Sequence, residues 1–292
     1  MNKSQNFFTE KRIELSVNYH KPITIIPFGD VHRDSHQHDS GRWKDFLKEC
    51  KENDNDQTFY LCMGDELDFL SGSERKAVRD LHESTASSFD RFVEGEIWRL
   101  AEELKFAKGR FLGCLAGNHC YQMANGQWST EILCKELGCP FLGYATYLRL
   151  SLKNKARKGN SVVAVDIFAS HGKGGGSLIG SPYNTVEKMR DVFAGADIYL
   201  MGHDHKKGGI SDTTLYYDQH FLMQQRRQWF GRTGSFLKGW EPNVDSYIIQ
   251  RMYPPTDLGA IKFEVRVKRV RKGKNKSGGR NDMLVKDIRM WS

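Results

Sequence analysis

No stretch of this 292-residue chain reaches 18 consecutive apolar residues, so no transmembrane helix is expected. The opening residues, Met1-Asn2-Lys3-Ser4-Gln5-Asn6, lack the apolar centre of a secretory signal. Six cysteines are present (Cys50, Cys62, Cys114, Cys120, Cys134 and Cys139), but none forms a CxxC pair. That argues against a zinc ribbon or a disulfide framework. Cys62 and Cys114 lie inside apolar runs, where a thiol packs as a small hydrophobe. A reducing, cytoplasmic location with no membrane partner is therefore expected. Internal repeats, heptads and linker-like composition are also missing. One domain over 1–292 is the simplest account, with a basic, strand-rich region from about 206–292.

What the chain does contain is ordinary in bulk: 39% apolar residues, 12% aromatics and a net charge of +8. The charge permits a phosphate-rich partner without requiring one. In the first half, apolar runs alternate with helical periodicity. Trp43, Phe46, Leu47 and Cys50 fall on one helix face, and so do Phe89, Phe92, Val93, Ile97, Leu100 and Leu104, with Gly109 as the expected stop. A short helix is expected over 130–137 and another over 185–194. An edge strand is read at 13–19, a hairpin arm at 148–152 opposite 162–169, and short strands at 213–217, 228–230 and 246–252. Over 261–267, Ile261, Phe263, Val265 and Val267 alternate with charged residues, as in a half-buried strand. Residues 269–280, rich in Lys, Arg and Gly, read as a mobile basic loop or hairpin tip.

Five short segments carry most of the chemistry. They are Gly29-Asp30-Val31-His32, Gly64-Asp65-Glu66-Leu67-Asp68, Gly117-Asn118-His119-Cys120, Ser170-His171-Gly172 and Gly202-His203-Asp204-His205. Each follows an apolar run: 23–28, 59–63, 111–116, 162–169 and 198–201. Side chains at strand ends converge on the carboxyl edge of a sheet, where open α/β folds place their sites. Carboxylate, imidazole and amide oxygen together suit Mn²⁺, Fe or Zn²⁺ better than Ca²⁺ or Cu⁺. Seven candidate ligands exceed what one open catalytic ion takes, and suit two ions sharing a carboxylate.

The order D-x-H, GD-x-x-D, GNH, a lone His and GH-x-H resembles the calcineurin-like metallophosphoesterase superfamily, over about 23–205. The likeness implies a four-layer α/β/β/α sandwich with two mixed sheets. It implies two divalent ions, Mn²⁺ foremost and Fe or Zn²⁺ as alternatives. Asp30, His32 and His205 would hold one ion, Asn118, His171 and His203 the other, and Asp65 would bridge them. His119 would act on the scissile phosphate as a general acid, oriented by Asp68. The implied activity is hydrolysis of a phosphodiester by a hydroxide between the ions, with nucleic acid or a nucleotide as substrate. A phosphomonoesterase acting on phosphoprotein or a small molecule, and a non-catalytic nucleic-acid-binding module, are the alternatives. Members usually carry an acid after GNH; here Cys120 stands in its place, to pack as a neutral thiol or to respond to oxidation.

Weaker signals surround these motifs. Arg33, His36 and His38 follow the first motif closely enough to line a cleft, or to form a solvated loop. Lys173 lies in a glycine-rich run, 172–177, that would wrap a phosphate or simply turn; it lacks P-loop order. The basic and aromatic mixture 225–236 suits either a nucleic-acid strand or a core strand. Within it, Arg232-Thr233-Gly234-Ser235 resembles a segment of phage-type relatives, where it would support the site or, through Arg232, touch substrate. Basic residues across 262–280 would give salt-sensitive binding if they track phosphates, and otherwise form a solvated tail. His82 and His220 have no partner that the sequence identifies.

Overall fold

The computed structural model describes residues 7–69, 83–156, 162–174, 176, 178–217, 221–242, 247–250, 252–274 and 280–292. His82, His220, Gly175, Ser177 and the tip 275–279 of the basic segment lie outside them. Two mixed sheets organise the chain. The larger has the order β1-β5-β6-β7-β9-β8, formed by Phe8–Val17, Ala145–Asn154, Val162–Ser170, Ile198–Met201, Met223–Thr233 and Lys207–Tyr217 respectively. The smaller has the order β11-β10-β2-β3-β4, from Arg280–Trp291, Lys262–Lys274, Ile23–Phe28, Thr58–Cys62 and Phe111–Cys114.

The continuous apolar runs are strands buried on both faces, as parallel strands require. In β2, Ile23 and Ile25 join a cluster with Leu61, Leu148, Val165, Ile198 and Phe263, so that the two sheets share a core. Its other face sends Ile26 and Phe28 against Trp43, Phe46 and Cys50 of helix α1 (Ser40–Glu52) and against Val93 and Ile97 of α2 (Glu83–Leu104). Helix α3 (Ser129–Leu137) contributes Leu133 and Leu137 to the same cluster. Behind β6 and β7, Phe168 and Tyr199 pack on Val186 of α4 (Ser181–Glu187) and Met189 of α5 (Met189–Val192).

Two local expectations are corrected. The described residues of 246–252 form no strand; Tyr247–Gln250 is a single helical turn, α6. The helix expected over 185–194 is two short ones. Of the two readings of the basic segment 269–280, the loop gives way to the hairpin: among the described residues, β10 and β11 pair from Lys262↔Trp291 to Lys274↔Arg280. Beyond Val265, β10 has lost β2 and pairs with β11 alone. Its charge is also partly answered, since Lys268 lies 2.7 Å and Arg289 3.5 Å from Asp287, and Arg266 lies 2.6 Å from Glu264. Among the described residues, no helix is long and apolar enough to cross a membrane.

Candidate metal centre

β2, β3 and β4 run parallel, as do β6 and β7, so their carboxyl ends gather five loops at one edge. The pairing continues past the strands. Asp30 N–H donates to Gly64 O at 2.9 Å, and His32 N–H to Asp65 O at 3.0 Å. Gly202 N–H donates to His171 O at 3.1 Å within the larger sheet, and the two sheets are joined here by His203 N–H donating to Asp30 Oδ2 at 2.9 Å.

Backbone conformation singles out the same residues. Among the described residues, seven other than glycine have positive φ. Five of these are Asp30 (48°), His32 (45°), Asp65 (53°), His203 (71°) and His205 (56°). A non-glycine residue in this region is strained, and such strain collects where side chains must be aimed. The glycines between them permit the close approach. Gly64 has φ of 96°, and a Cβ there would stand 2.7 Å from His171 Nδ1. A Cβ on Gly117 would overlap the carboxylate of Asp65.

Two groups of side chains result. In one, Asp30, His32 and His205 each offer a ligand atom within 4.8 Å of the others; Asp65, His171 and His203 do so in the second. Asn118 joins the second group, its Oδ1 2.9 Å from His171 Nε2 and 2.7 Å from His203 Nδ1. Asp65 Oδ2 is 3.1 Å from His171 Nε2. His171 Nδ1–H donates to Met63 O at 2.9 Å, which aims Nε2 into the cluster. Asp30 Oδ1 and His32 Nε2 are buried and make no hydrogen bond. Buried acceptors of this kind, held beside imidazole nitrogens and an amide oxygen, are a donor set that fits divalent cations.

The electrostatics are those of a tightly paired cluster. Burial opposes charge on His32, but the carboxylates of Asp68, Asp65 and Asp30 outweigh it and raise the imidazole to about 9. Burial is likewise overcome at His171, which Asp65 raises to about 10. Asp65 itself is held below the ordinary carboxylate range, burial notwithstanding, by His171 and His32. Glu66 differs: burial pushes its carboxyl up to about 8, although it accepts Gly64 N–H at 2.9 Å.

His119 and Asp68 stand at the mouth. Asp68 Oδ1 lies 2.7 Å from His119 Nδ1 and 3.3 Å from His32 Nδ1, so one carboxylate faces two rings. These contacts overcome burial and depress its pKa. Asp68 is itself fixed by Asp34, whose Oδ1 accepts Asp68 N–H at 2.6 Å. Cys120 is buried, with Sγ 3.1 Å from Thr130 Oγ1 and 3.5 Å from Ser129 Oγ, at the start of α3.

The site opens on a cleft of about 820 Å³. His32, Asp65, Asp68, Asn118, His119, His203 and His205 line it, together with His36, Gly174 and Gly176. Leu237, Ile248, Tyr253 and Pro254 supply an apolar wall. Lys173 is exposed beside these glycines. Two arginines read as candidate substrate contacts are engaged with the protein itself. Arg33 is taken up by α2, 2.6 Å from Glu103 and 3.1 Å from Glu96. Arg232 is fully buried; it donates to Pro182 O at 2.9 Å and Gly202 O at 2.8 Å and lies 3.0 Å from Asp204. It holds the Gly202–His205 loop from behind, as Ser235 holds Asp30 O at 3.0 Å. His38 likewise is structural, donating from Nδ1 to Val31 O at 2.8 Å.

The sequence reading missed Asp34, Glu66 and Asp204, which brace the ligand loops. Their only signal was an acid one or two places from a candidate ligand. No protein-family model and no curated protein matches the chain. Among solved structures it is similar to wild-type Vps29 of Entamoeba histolytica complexed with Zn²⁺, at 12% identity and a TM-score of 0.36, over 90% of this chain and 99% of that one.

Proposed function

We propose that this chain is a dimetal phosphoesterase of the calcineurin-like type, built as a four-layer α/β/β/α sandwich, that hydrolyses a phosphodiester in nucleic acid or a nucleotide. The observation that supports the reading is the gathering of ligand atoms from Asp30, His32 and His205 in one group and from Asp65, His171 and His203 in a second, with Asn118 beside the second. Asp30, His32 and His205 would hold one ion and Asn118, His171 and His203 a second, with Asp65 as the ligand they would share. Bound there, two divalent ions supply Lewis acidity toward phosphoryl oxygens and activate water at neutral pH.

The remaining steps belong to side chains. Asp68 takes the Nδ1 side of His119, which leaves the other ring nitrogen to protonate the departing oxygen. The same carboxylate orients His32 from behind. Backbone at Gly174 and Gly176 lets a phosphate approach the site closely. The wall of Leu237, Ile248, Tyr253 and Pro254 gives a second ester substituent, such as a nucleoside, somewhere to lie. A free monoester has no such substituent, and this supports the diester reading.

The test is hydrolysis of bis-p-nitrophenyl phosphate and p-nitrophenyl phosphate with Mn²⁺, followed by end-labelled single- and double-stranded DNA, with Asp65→Asn as control. The expected result is faster turnover of the bis-ester and its loss in Asp65→Asn. Faster turnover of the mono-ester would replace a diesterase by a phosphatase. No turnover of either by metal-loaded protein would overturn the reading.

A further inference from the structure

The cysteines that form no CxxC pair in sequence meet in space. Cys114 ends β4, Cys134 lies on α3, and Cys139 follows the turn that closes α3. Gly138, with φ of 70°, reverses the chain there, and Cys139 N–H donates to Cys134 O at 2.9 Å. One Sγ from each cysteine lies within 4.8 Å of the other two, and Cys114 and Cys139 are 3.7 Å apart at sulfur. Cys62 stands opposite Cys114 in the β3–β4 register. The other two cysteines sit elsewhere, Cys50 on α1 and Cys120 against Ser129 and Thr130.

Packing as small hydrophobes accounts for single buried thiols. It does not call for three to converge from a strand, a helix and the turn after it, with a fourth beside them. A tetrahedral thiolate site with metal–sulfur bonds of about 2.3 Å has sulfur–sulfur edges of about 3.8 Å. The Cys114–Cys139 separation already has that length, so the cluster needs little rearrangement to close on an ion. Cys114 and Cys134 are buried while Cys139 is only half-buried, which provides a way in.

We propose that Cys114, Cys134 and Cys139 form a separate site for one thiophilic ion of the zinc or cadmium kind, with Cys62 as an adjacent fourth thiol. Cys114 Sγ, 3.7 Å from Cys139 Sγ, favours the thiolate form of Cys139 as a hydrogen-bond partner. The remaining thiol protons leave to solvent as sulfur–metal bonds form, and the cation balances the buried thiolates. The position has a structural consequence. Cys62 lies three residues before Asp65 and Cys114 four before Asn118, so an ion here ties together the strand ends that carry both loops.

The test is titration of the full, reduced, metal-stripped chain with Cd²⁺, followed by thiolate-to-cadmium charge-transfer absorption in the ultraviolet. Cadmium among carboxylates and imidazoles is silent in that band. One equivalent per chain should produce it. Cys114→Ser and Cys139→Ser should weaken binding about tenfold or more, while Cys120→Ser should leave it unchanged. A second measurement needs no variant: Zn²⁺ should slow alkylation of Cys139 by iodoacetamide, read by mass spectrometry. Absence of the band in folded wild-type protein, an undiminished band in the Cys114→Ser, Cys139→Ser double variant, or alkylation that Zn²⁺ does not slow would each overturn the proposal.

Discussion

Asp65 Oδ1 accepts the backbone N–H of His119 at 2.9 Å, while its Oδ2 lies 3.1 Å from His171 Nε2. One carboxylate thus positions His119 and faces an imidazole from the opposite sheet. Asp65 therefore joins the two halves of the site mechanically as well as electrostatically.

His119→Ala should lower turnover by about 10²–10⁴-fold, the range for loss of a general acid, and leave metal content at two ions per chain. Elemental analysis beside kinetics reads both. Loss of the ions would mean that His119 is a ligand.

Asp68→Asn should act on two rings, since Asp68 lies 2.7 Å from His119 and 3.3 Å from His32. Turnover falls, and metal affinity at the His32 side drops by about 10–100-fold, as loss of an orienting carboxylate does elsewhere. Competition with a chelator measures the second effect. An unchanged metal affinity would confine Asp68 to His119.

Arg232→Ala should destabilise the chain by about 3–5 kcal/mol, because Asp204 loses its partner while it remains buried. The Gly202 and Pro182 carbonyls lose their donor as well. Urea unfolding measures the cost. A variant as stable as wild type, but with weakened substrate binding, would return Arg232 to the cleft.

Gly117→Ala should abolish metal binding without changing the distant core, since the added methyl would overlap Asp65. The check is metal stoichiometry alongside far-ultraviolet circular dichroism. Two bound ions in the variant would show that the Gly117 turn can yield.

Asp166 and Arg149 form a two-pronged pair at 2.8 and 3.0 Å across β5 and β6. Burial would raise the Asp166 carboxyl, but Arg149 outweighs it and holds the pKa below the ordinary value. Such a group stabilises the fold above its unfolded pKa of about 3.9 and ceases to do so as pH falls through its lower folded value. Asp166→Asn should therefore cost about 1 kcal/mol at pH 7, kept modest because Arg149 is half exposed to solvent. The gap from wild type should close in acid, below about pH 4. Equal gaps in melts at neutral and acid pH would assign the cost to shape instead.

The strand-end motifs were legible in the sequence because each is local. An apolar run followed by Gly-Asp, Gly-Asn-His or Gly-His-x-His states both a buried strand and the turn that ends it. The expected and observed strands agree within a few residues at β2, β3, β4, β6 and β7. The same locality made 246–252 misleading, since Tyr247, Ile248 and Ile249 read as a strand run but wind into one helical turn, α6, with Ile248 buried.

By itself, then, the sequence determined which side chains stand at strand ends and in what order, because strand burial and glycine turns depend on neighbours along the chain. Only the tertiary structure decided where long or isolated side chains go. Arg33 turned to Glu96 and Glu103 on α2, and Arg232 was buried behind the His203 loop. Cys114, Cys134 and Cys139 came together although no spacing motif links them. Guanidinium groups find distant carboxylates because burial without a partner is costly, and thiols meet when a helix docks on a strand. Both outcomes depend on packing between segments far apart in the chain, which no local pattern encodes.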